Sequence, residues 1–383
     1  MKIAILESII MPAGHEVEFD RILVDELNNQ GHEPVMLVPE NFPFKIKYNA
    51  KVNYLEGGEV VTYAGANKFQ KLWLSVKRES RRRKWFNSAY KKSSENNYDA
   101  IIIPTATYRY LRAILDTDLK NSKIPVYIIF HGINPQEKAN FVKQAKRCER
   151  YPNIHLKVIT LRNDFANDGL KNVDLIVPPV FKPQDLPVDK NLTYTEPLTL
   201  GFFGQYRREK NVRFFLDAFK RAKFTVPVKL IMQGATARTE DSEEFEKIIS
   251  EYRDVPGIEF WHKNLIGEEW QKALLGVDVI IAPYAAERYR YHWSAMLFTA
   301  IGFYKPILQS PEMNPEVLQA YNVGEAVALD SVDAFTKQLE TFVNSYPEKH
   351  GQYKQGLIEA NEAYSHENLI KNFLSKVKKQ RIF

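Results

Sequence analysis

Short apolar runs rich in β-branched residues alternate along this chain with amphipathic stretches of 10 to 20 residues. Strands covered on both faces read as continuous apolar runs, and a helix between two of them leaves them parallel. The alternation therefore predicts βαβ units and an α/β fold. In the first half the predicted strands are 2–8, 34–40, 57–64, 99–105, 125–132, 155–161 and 173–180. In the second half they are 198–204, 228–234, 258–264, 277–284, 305–310 and 325–330. Between the halves, "PPVFKPQDLPVDKNLTYTEP" (178–197) holds five prolines in twenty residues and no helical period, which reads as a linker. A chain of 383 residues also exceeds the length at which one core usually stops growing. We read two tandem Rossmann-like, doubly wound domains, 1–185 and 196–364. A helix over 365–383 follows, capped by Ser365, with Leu369, Ile370, Phe373, Leu374 and Val377 in one stripe. That stripe suits packing on the N-terminal domain; a membrane-lying helix has the same pattern.

Glu7 interrupts the leading apolar run, so the first residues read as a strand rather than an export signal. No apolar run approaches 18 residues. The single cysteine, Cys148, excludes an intramolecular disulfide framework and suits a reducing cytosol. A net charge of +6 implies attraction to anionic partners without naming them.

Two stretches carry the chemistry. "GFFGQYRREKN" (201–211) is an apolar strand, a glycine, and a basic loop that opens a helix near Asn211. Amides at a helix start favour an anion, and Arg207, Arg208 and Lys210 add positive charge there. A solvated charged loop has the same composition. The second stretch, "IIAPYAAERYRYHWSAMLFTAIGFYKPIL" (280–308), ends a strand at Pro283 and starts a helix at Ser294, whose following amides, of Ala295 and Met296, form a second anion cradle. Two cradles at strand ends of one domain suit a diphosphate. Glu287, beside them, suits a sugar or ribose hydroxyl, or else pairs with Arg288 or Arg290. His131, after the strand 125–132, is either a structural hydrogen-bonder or a site residue.

Strand, "PY", acid, "YR", small-residue turn, "LF-A" and "KP" together resemble the donor-binding region of family-four glycosyltransferases with the GT-B fold. "GFFGQYRREKN" resembles their glycine, basic residue and "EKN" signature. In the N-terminal half the resemblance rests on residues 11–33 and on "FHG" (130–132). It implies two domains facing a central cleft. It also implies that Arg207 and Lys210 neutralise the donor's diphosphate, that Ser294, Ala295 and Met296 form its phosphate turn, and that Glu287 lies near the donor. "HKNLIGEEW" matches the base-reading segment, with Asn264, Leu265 and Ile266 nearest the base. Gly14 and His15 match a loop facing the donor from the other domain, and His131 a histidine near the transferred sugar. Two positions depart from the pattern: Thr299 replaces the usual acid of "FEA", and Gln205 replaces an arginine after the strand glycine, leaving Arg207 or Arg208 to supply its charge. Losing the charge-assisted ribose bond costs roughly 1–2 kcal/mol.

Residues 77–92 hold eight basic residues and one acid, interleaved with Trp85, Phe86 and Tyr90. With no nucleic-acid motif beside them, they read as a face for an anionic membrane surface or as an ordinary solvated helix face. No metal-ligand spacing occurs, and no cofactor is expected beyond a nucleotide-diphosphate sugar as co-substrate. The expectation is a metal-independent, retaining, hexosyltransferase-like enzyme that is cytoplasmic and peripheral at the inner face of the plasma membrane. It would act on a glycan or lipid-linked acceptor in polysaccharide synthesis. A non-catalytic scaffold of the same fold is the alternative, and an epimerase a more distant one.

Overall fold

The computed structural model describes residues 1–9, 15–44, 46–62, 67–162, 169–285 and 292–380. The chain divides into two units. The first comprises Met1–Pro178, Tyr291–Trp293 and His366–Phe383; the second comprises Pro179–Arg290 and Ser294–Ser365.

The first unit is built on a seven-stranded sheet. Its strands are β1 (Lys2–Leu6), β2 (Glu33–Pro39), β3 (Lys51–Leu55), β4 (Ala100–Ile103), β5 (Val126–Phe130), β6 (Ile154–Ile159) and β7 (Val173–Ile176). They lie in the order β3-β2-β1-β4-β5-β6-β7, and every pairing is parallel. Helices α1 (His15–Asn29), α2 (Lys68–Glu95), α3 (Tyr108–Leu115) and α4 (Lys138–Cys148) supply crossovers. β1, β4 and β5 are buried almost throughout, as the unbroken apolar runs require.

The third strand differs from the expected 57–64. It is Lys51–Leu55, paired from Val35↔Lys51 to Pro39↔Leu55. As an edge strand it is mostly exposed, so its residues carry no continuous apolar signal. The more apolar run that follows starts with Gly57 and Gly58 at φ +130° and +86°, a turn geometry that ends pairing. There the Trp85 Nε1–H donates to Gly58 O at 2.9 Å.

The last helix, α12 (His366–Gln380), belongs to this unit. Leu369, Ile370, Phe373 and Leu374 are buried; the side chain of Val377 lies outside the described residues. Phe373 sits 4.6 Å from the Tyr127 ring of β5, and the Lys157 ammonium lies 5.9 Å from the Phe373 ring. Lys157 is itself buried and donates to Asp174 Oδ2 on β7 at 2.6 Å.

The second unit has a six-stranded parallel sheet in the order β10-β9-β8-β11-β12-β13. These strands are β8 (Leu198–Phe202), β9 (Val228–Gly234), β10 (Ile258–His262), β11 (Val279–Ala282), β12 (Ile307–Gln309) and β13 (Gly324–Ala326). The helices are α5 (Val212–Arg221), α6 (Thr239–Tyr252), α7 (Gly267–Leu275), α8 (Ala295–Gly302), α9 (Pro315–Ala320), α10 (Val332–Lys349) and α11 (Tyr353–Ala363). The proline-rich stretch before β8 has neither helix nor strand. It is laced to this unit by Val180 N–H to Tyr364 O at 2.9 Å and Phe181 N–H to Phe298 O at 3.2 Å.

Both sheets reverse their winding direction once, between β1 and β4 and between β8 and β11. In doubly wound sheets the strand-end crevice at that reversal is where ligands bind.

Phe373→Ala should destabilise the first unit by about 3–5 kcal/mol, the usual loss for a fully buried ring. In native-state hydrogen exchange, protection should fall in β5–β7 while the amides of β8–β13 keep theirs.

Candidate functional site

In the second unit the reversal point is the exit of β8. The chain passes Phe203 and turns at Gly204, which has φ +108°. A Cβ there would stand 2.9 Å from Lys210 Nζ and 4.0 Å from Met296 Cε. Glycine supplies both the left-handed backbone and the room. Lys210 ends a single 3₁₀ turn, Arg208–Lys210, after which Asn211 adopts a left-handed conformation at φ +53°. The loop is held against the segment after β11, because Asn211 Nδ2–H donates to Pro283 O at 3.2 Å and Ala285 N–H to Glu209 O at 2.8 Å. Lys210 is buried, its ammonium donating to Phe203 O at 3.3 Å and lying 5.0 Å from the centre of the Tyr284 ring.

Helix α8 begins at the same place. Ser294 is its N-cap: Oγ accepts from Leu297 N–H at 3.4 Å, and the Ser294 N–H donates to Asn314 Oδ1 at 2.8 Å. Asn314, at φ +46°, is buried and fixes the cap from the loop after β12. The amides of Ala295 and Met296 belong to the first turn, which has no intrahelical acceptors for them. The Met296 side chain reaches toward Gly204. The buried cation and the Met296 side chain of α8 therefore meet at one glycine.

A buried carboxamide ties this point to a third loop. Gln233, on β9, accepts from Gly204 N–H at 2.8 Å through Oε1 and donates to Lys263 O at 2.6 Å through Nε2. Lys263 precedes Asn264, Leu265 and Ile266, of which Leu265 is buried while Asn264 and Ile266 are exposed. Gln233 and Asn314 were not singled out from the sequence. The available signal was a polar amide at the carboxyl end of an apolar strand and an asparagine just before Pro315.

The other cations of the basic loop are paired within the loop or with α6. Arg207 is exposed, with its guanidinium 3.7 Å from Glu209 and donating to Gln205 Oε1 at 3.3 Å. Arg208 donates to Glu244 on α6 at 2.9 Å. Thr299 is buried, and its hydroxyl donates to Ala295 O at 2.8 Å, the helix's own carbonyl. Gly14 and Glu287 lie outside the described residues, as does the side chain of His15, the first residue of α1. Among the described residues, no group of three or more His, Cys, Asp or Glu side chains could hold a metal ion.

In the first unit the reversal point has the opposite character. His131, at the exit of β5, donates from Nε2 to Pro104 O at 2.9 Å and lies 3.4 Å from Thr105 Oγ1, so it bridges to the exit of β4. The Phe19 ring stands edge-on at 4.5 Å, and Trp293, counted with this unit, lies 6.0 Å away. At the exit of β1, Glu7 is buried and accepts from the amides of Ser8 and Ile9. Asp20 of α1 is buried beside it. Burial, and secondarily the charge of Glu16, pushes the Glu7 carboxyl up to about 8, against the pull of those amides. Burial followed by the charges of Glu7 and Glu16 raises Asp20 as well.

A carboxyl raised in the native state holds a proton that the unfolded chain has already lost. Stability from Glu7 is thus present below the unfolded value of 4.5 and declines as pH rises toward about 8. Glu7→Gln keeps the acceptor for the two amides and removes the titration. Calorimetric melting should show a flatter stability profile between those pH values, and a more stable variant than parent at pH 8.

Residues 197–345 match the family described as "Glycosyl transferases group 1". No curated protein matches the chain. Among solved structures it is similar to sucrose-phosphate synthase from Thermosynechococcus elongatus, at 14% identity over 99% of this chain and 98% of that one, with a TM-score of 0.69. A glycosyltransferase from Rickettsia africae is 12% identical over 99% and 98%, with a TM-score of 0.66. Anabaena HepE in complex with UDP and glucose is 14% identical over 99% and 100%, with a TM-score of 0.65. The chain accordingly has the α/β, two-Rossmann GT-B fold, and residues 197–345, in its second unit, match the group 1 glycosyl transferases.

Proposed function

We propose that this chain moves a hexosyl group from a nucleotide-diphosphate sugar, held by the second unit, to a glycan or lipid-linked acceptor bound by the first. The observation that carries the reading is the buried Lys210 ammonium meeting the Met296 side chain of α8 at Gly204, inside the stretch that matches group 1 glycosyl transferases. A preformed cation and oriented amides in a site shielded from water stabilise charge developing on a departing diphosphate without reorganising. In this reading the anomeric carbon–oxygen bond to the diphosphate breaks as the acceptor oxygen bonds to that carbon, with retention. The acceptor's proton passes to the departing oxygen, and no metal takes part. Asn264, Leu265 and Ile266 read the base, and His131 serves the sugar. The HepE structure with UDP and glucose supports this class of donor. The product is cell-surface polysaccharide or glycoconjugate, made on the cytoplasmic side of the membrane.

One observation favours a second reading, a scaffold that kept the fold and lost the chemistry. Thr299 stands where the resemblance to family-four glycosyltransferases implies a ribose-binding acid, and its hydroxyl already donates to Ala295 O. Titration calorimetry against a panel of nucleoside diphosphates separates the two readings: the transferase binds at least one, the scaffold none.

Lys210→Ala should lower turnover by about 10²–10³-fold, the usual loss for one preorganised stabiliser of developing charge. The circular dichroism spectrum should stay unchanged; transfer at the parental rate would remove Lys210 from the mechanism. Gly204→Ala places a methyl group on the Lys210 ammonium and strains a left-handed turn. Affinity for the nucleoside diphosphate should fall about tenfold or more by calorimetry.

A further inference from the structure

The helix expected to present basic and aromatic residues over 77–92 buries its aromatics instead. Trp85 and Phe86 lie in the core, and Arg82 is buried with Glu79 at 2.6 Å. The exposed apolar residues of α2 lie further toward its start. Phe69, Leu72, Trp73 and Val76 are 86%, 69%, 61% and 65% exposed. They occupy positions i, i+3, i+4 and i+7, one continuous stripe on a helix that shows its apolar side to solvent. Scattered single exposed apolar residues are ordinary, but a contiguous stripe marks an interaction surface.

Charge identifies the occupant. Lys77, Arg81 and Lys84 lie on the side of the helix that carries the stripe, and the Lys77 ammonium lies over the Trp73 ring at 4.9 Å. The sole acid between residues 68 and 84 is Glu79, whose carboxylate is taken by Arg82 and by Arg112 at 3.8 Å. Beside the stripe is a hollow of about 580 Å³ whose lining includes Gly57, Gly58, Trp73, Lys77, Arg81 and Lys84. An apolar face, a tryptophan at its margin and a cation-lined hollow beside it match the boundary between acyl chains and anionic headgroups. No helix among the described residues is long and apolar enough to cross a membrane, so this would be contact with a surface.

We propose that the first half of α2 seats the chain on an anionic lipid surface, with Phe69, Leu72, Trp73 and Val76 entering the interface and the flanking cations meeting lipid phosphates. The inference rests on this exposed face and stands apart from the transfer reaction.

The test is sedimentation of the full chain with vesicles of phosphatidylcholine alone and of phosphatidylcholine mixed with phosphatidylglycerol. Binding to the mixed vesicles should be at least about tenfold stronger and should weaken as salt is raised. The triple variant Phe69→Ser, Leu72→Ser, Trp73→Ser should lose about tenfold or more, as should Lys77→Glu with Lys84→Glu, while melting temperatures stay parental because these side chains lie at the surface. Parental vesicle binding by the triple variant would overturn the proposal, as would absence of binding by the wild type. So would a lipid-free, concentration-dependent dimer that the triple variant abolishes, since the stripe would then be seating a second copy of the chain.

Discussion

The candidate site of the second unit depends on the carboxamide of Gln233. A parallel sheet brings its strands out at one edge, but it does not set the conformation of the loops that leave it. Gln233 does so by holding the exits of β8 and β10 across the intervening β9, with one bond to Gly204 and one to Lys263. Both bonds are made by a buried side chain, where an unmade hydrogen bond is costly, so the two loops are coupled to the integrity of the core. The turn at Gly204 is defined by this bridge, and the position of Lys210 is defined by that turn. Asn314 plays a comparable part at the other side, since its carboxamide oxygen fixes the cap from which α8 starts.

Burying Lys210 has an electrostatic consequence. An ammonium removed from water interacts with an arriving anion far more strongly than one on an exposed loop, because the effective dielectric is lower. Desolvation of that ammonium is offset in the folded chain by the Phe203 carbonyl and the face of Tyr284. Arg207 and Arg208 are solvated and already engaged with Glu209 and Glu244. Three cations close in sequence thus stand in unequal environments, and of them Lys210 is the buried one.

Much of the fold could be read from the sequence because buried parallel strands announce themselves as unbroken apolar runs. β3 could not, since an edge strand with one covered face has a polar sequence, and the glycine-led run after it looked more strand-like. The start of α8 was legible at Ser294, where a capping residue precedes a breaker-free apolar stretch. Gln233 was not legible as a bridge, because its partners lie 29 and 30 residues away on either side and neither spacing recurs as a local pattern. Along α2 the alternation of basic and aromatic residues was plain, yet which aromatics face the core depends on the helix's rotation against the sheet. That is a tertiary fact, and it places Trp85 and Phe86 inside and Trp73 outside.

Taken one at a time, the two reversal points have opposite chemistry on the same architecture. At the exits of β8 and β11 the chain gathers a buried cation, helix amides and a glycine that leaves them room, which suits an anion. At the exits of β1, β4 and β5 lie His131 and the buried carboxyls of Glu7 and Asp20, both of which burial raises above the ordinary carboxylate range. A phosphate would be repelled there if those carboxyls ionised, whereas hydroxyl groups find both donors and acceptors. The two units therefore place different chemistry at equivalent points of one architecture. The strand ends supply the location in both units, and the side chains placed on them decide what each can hold.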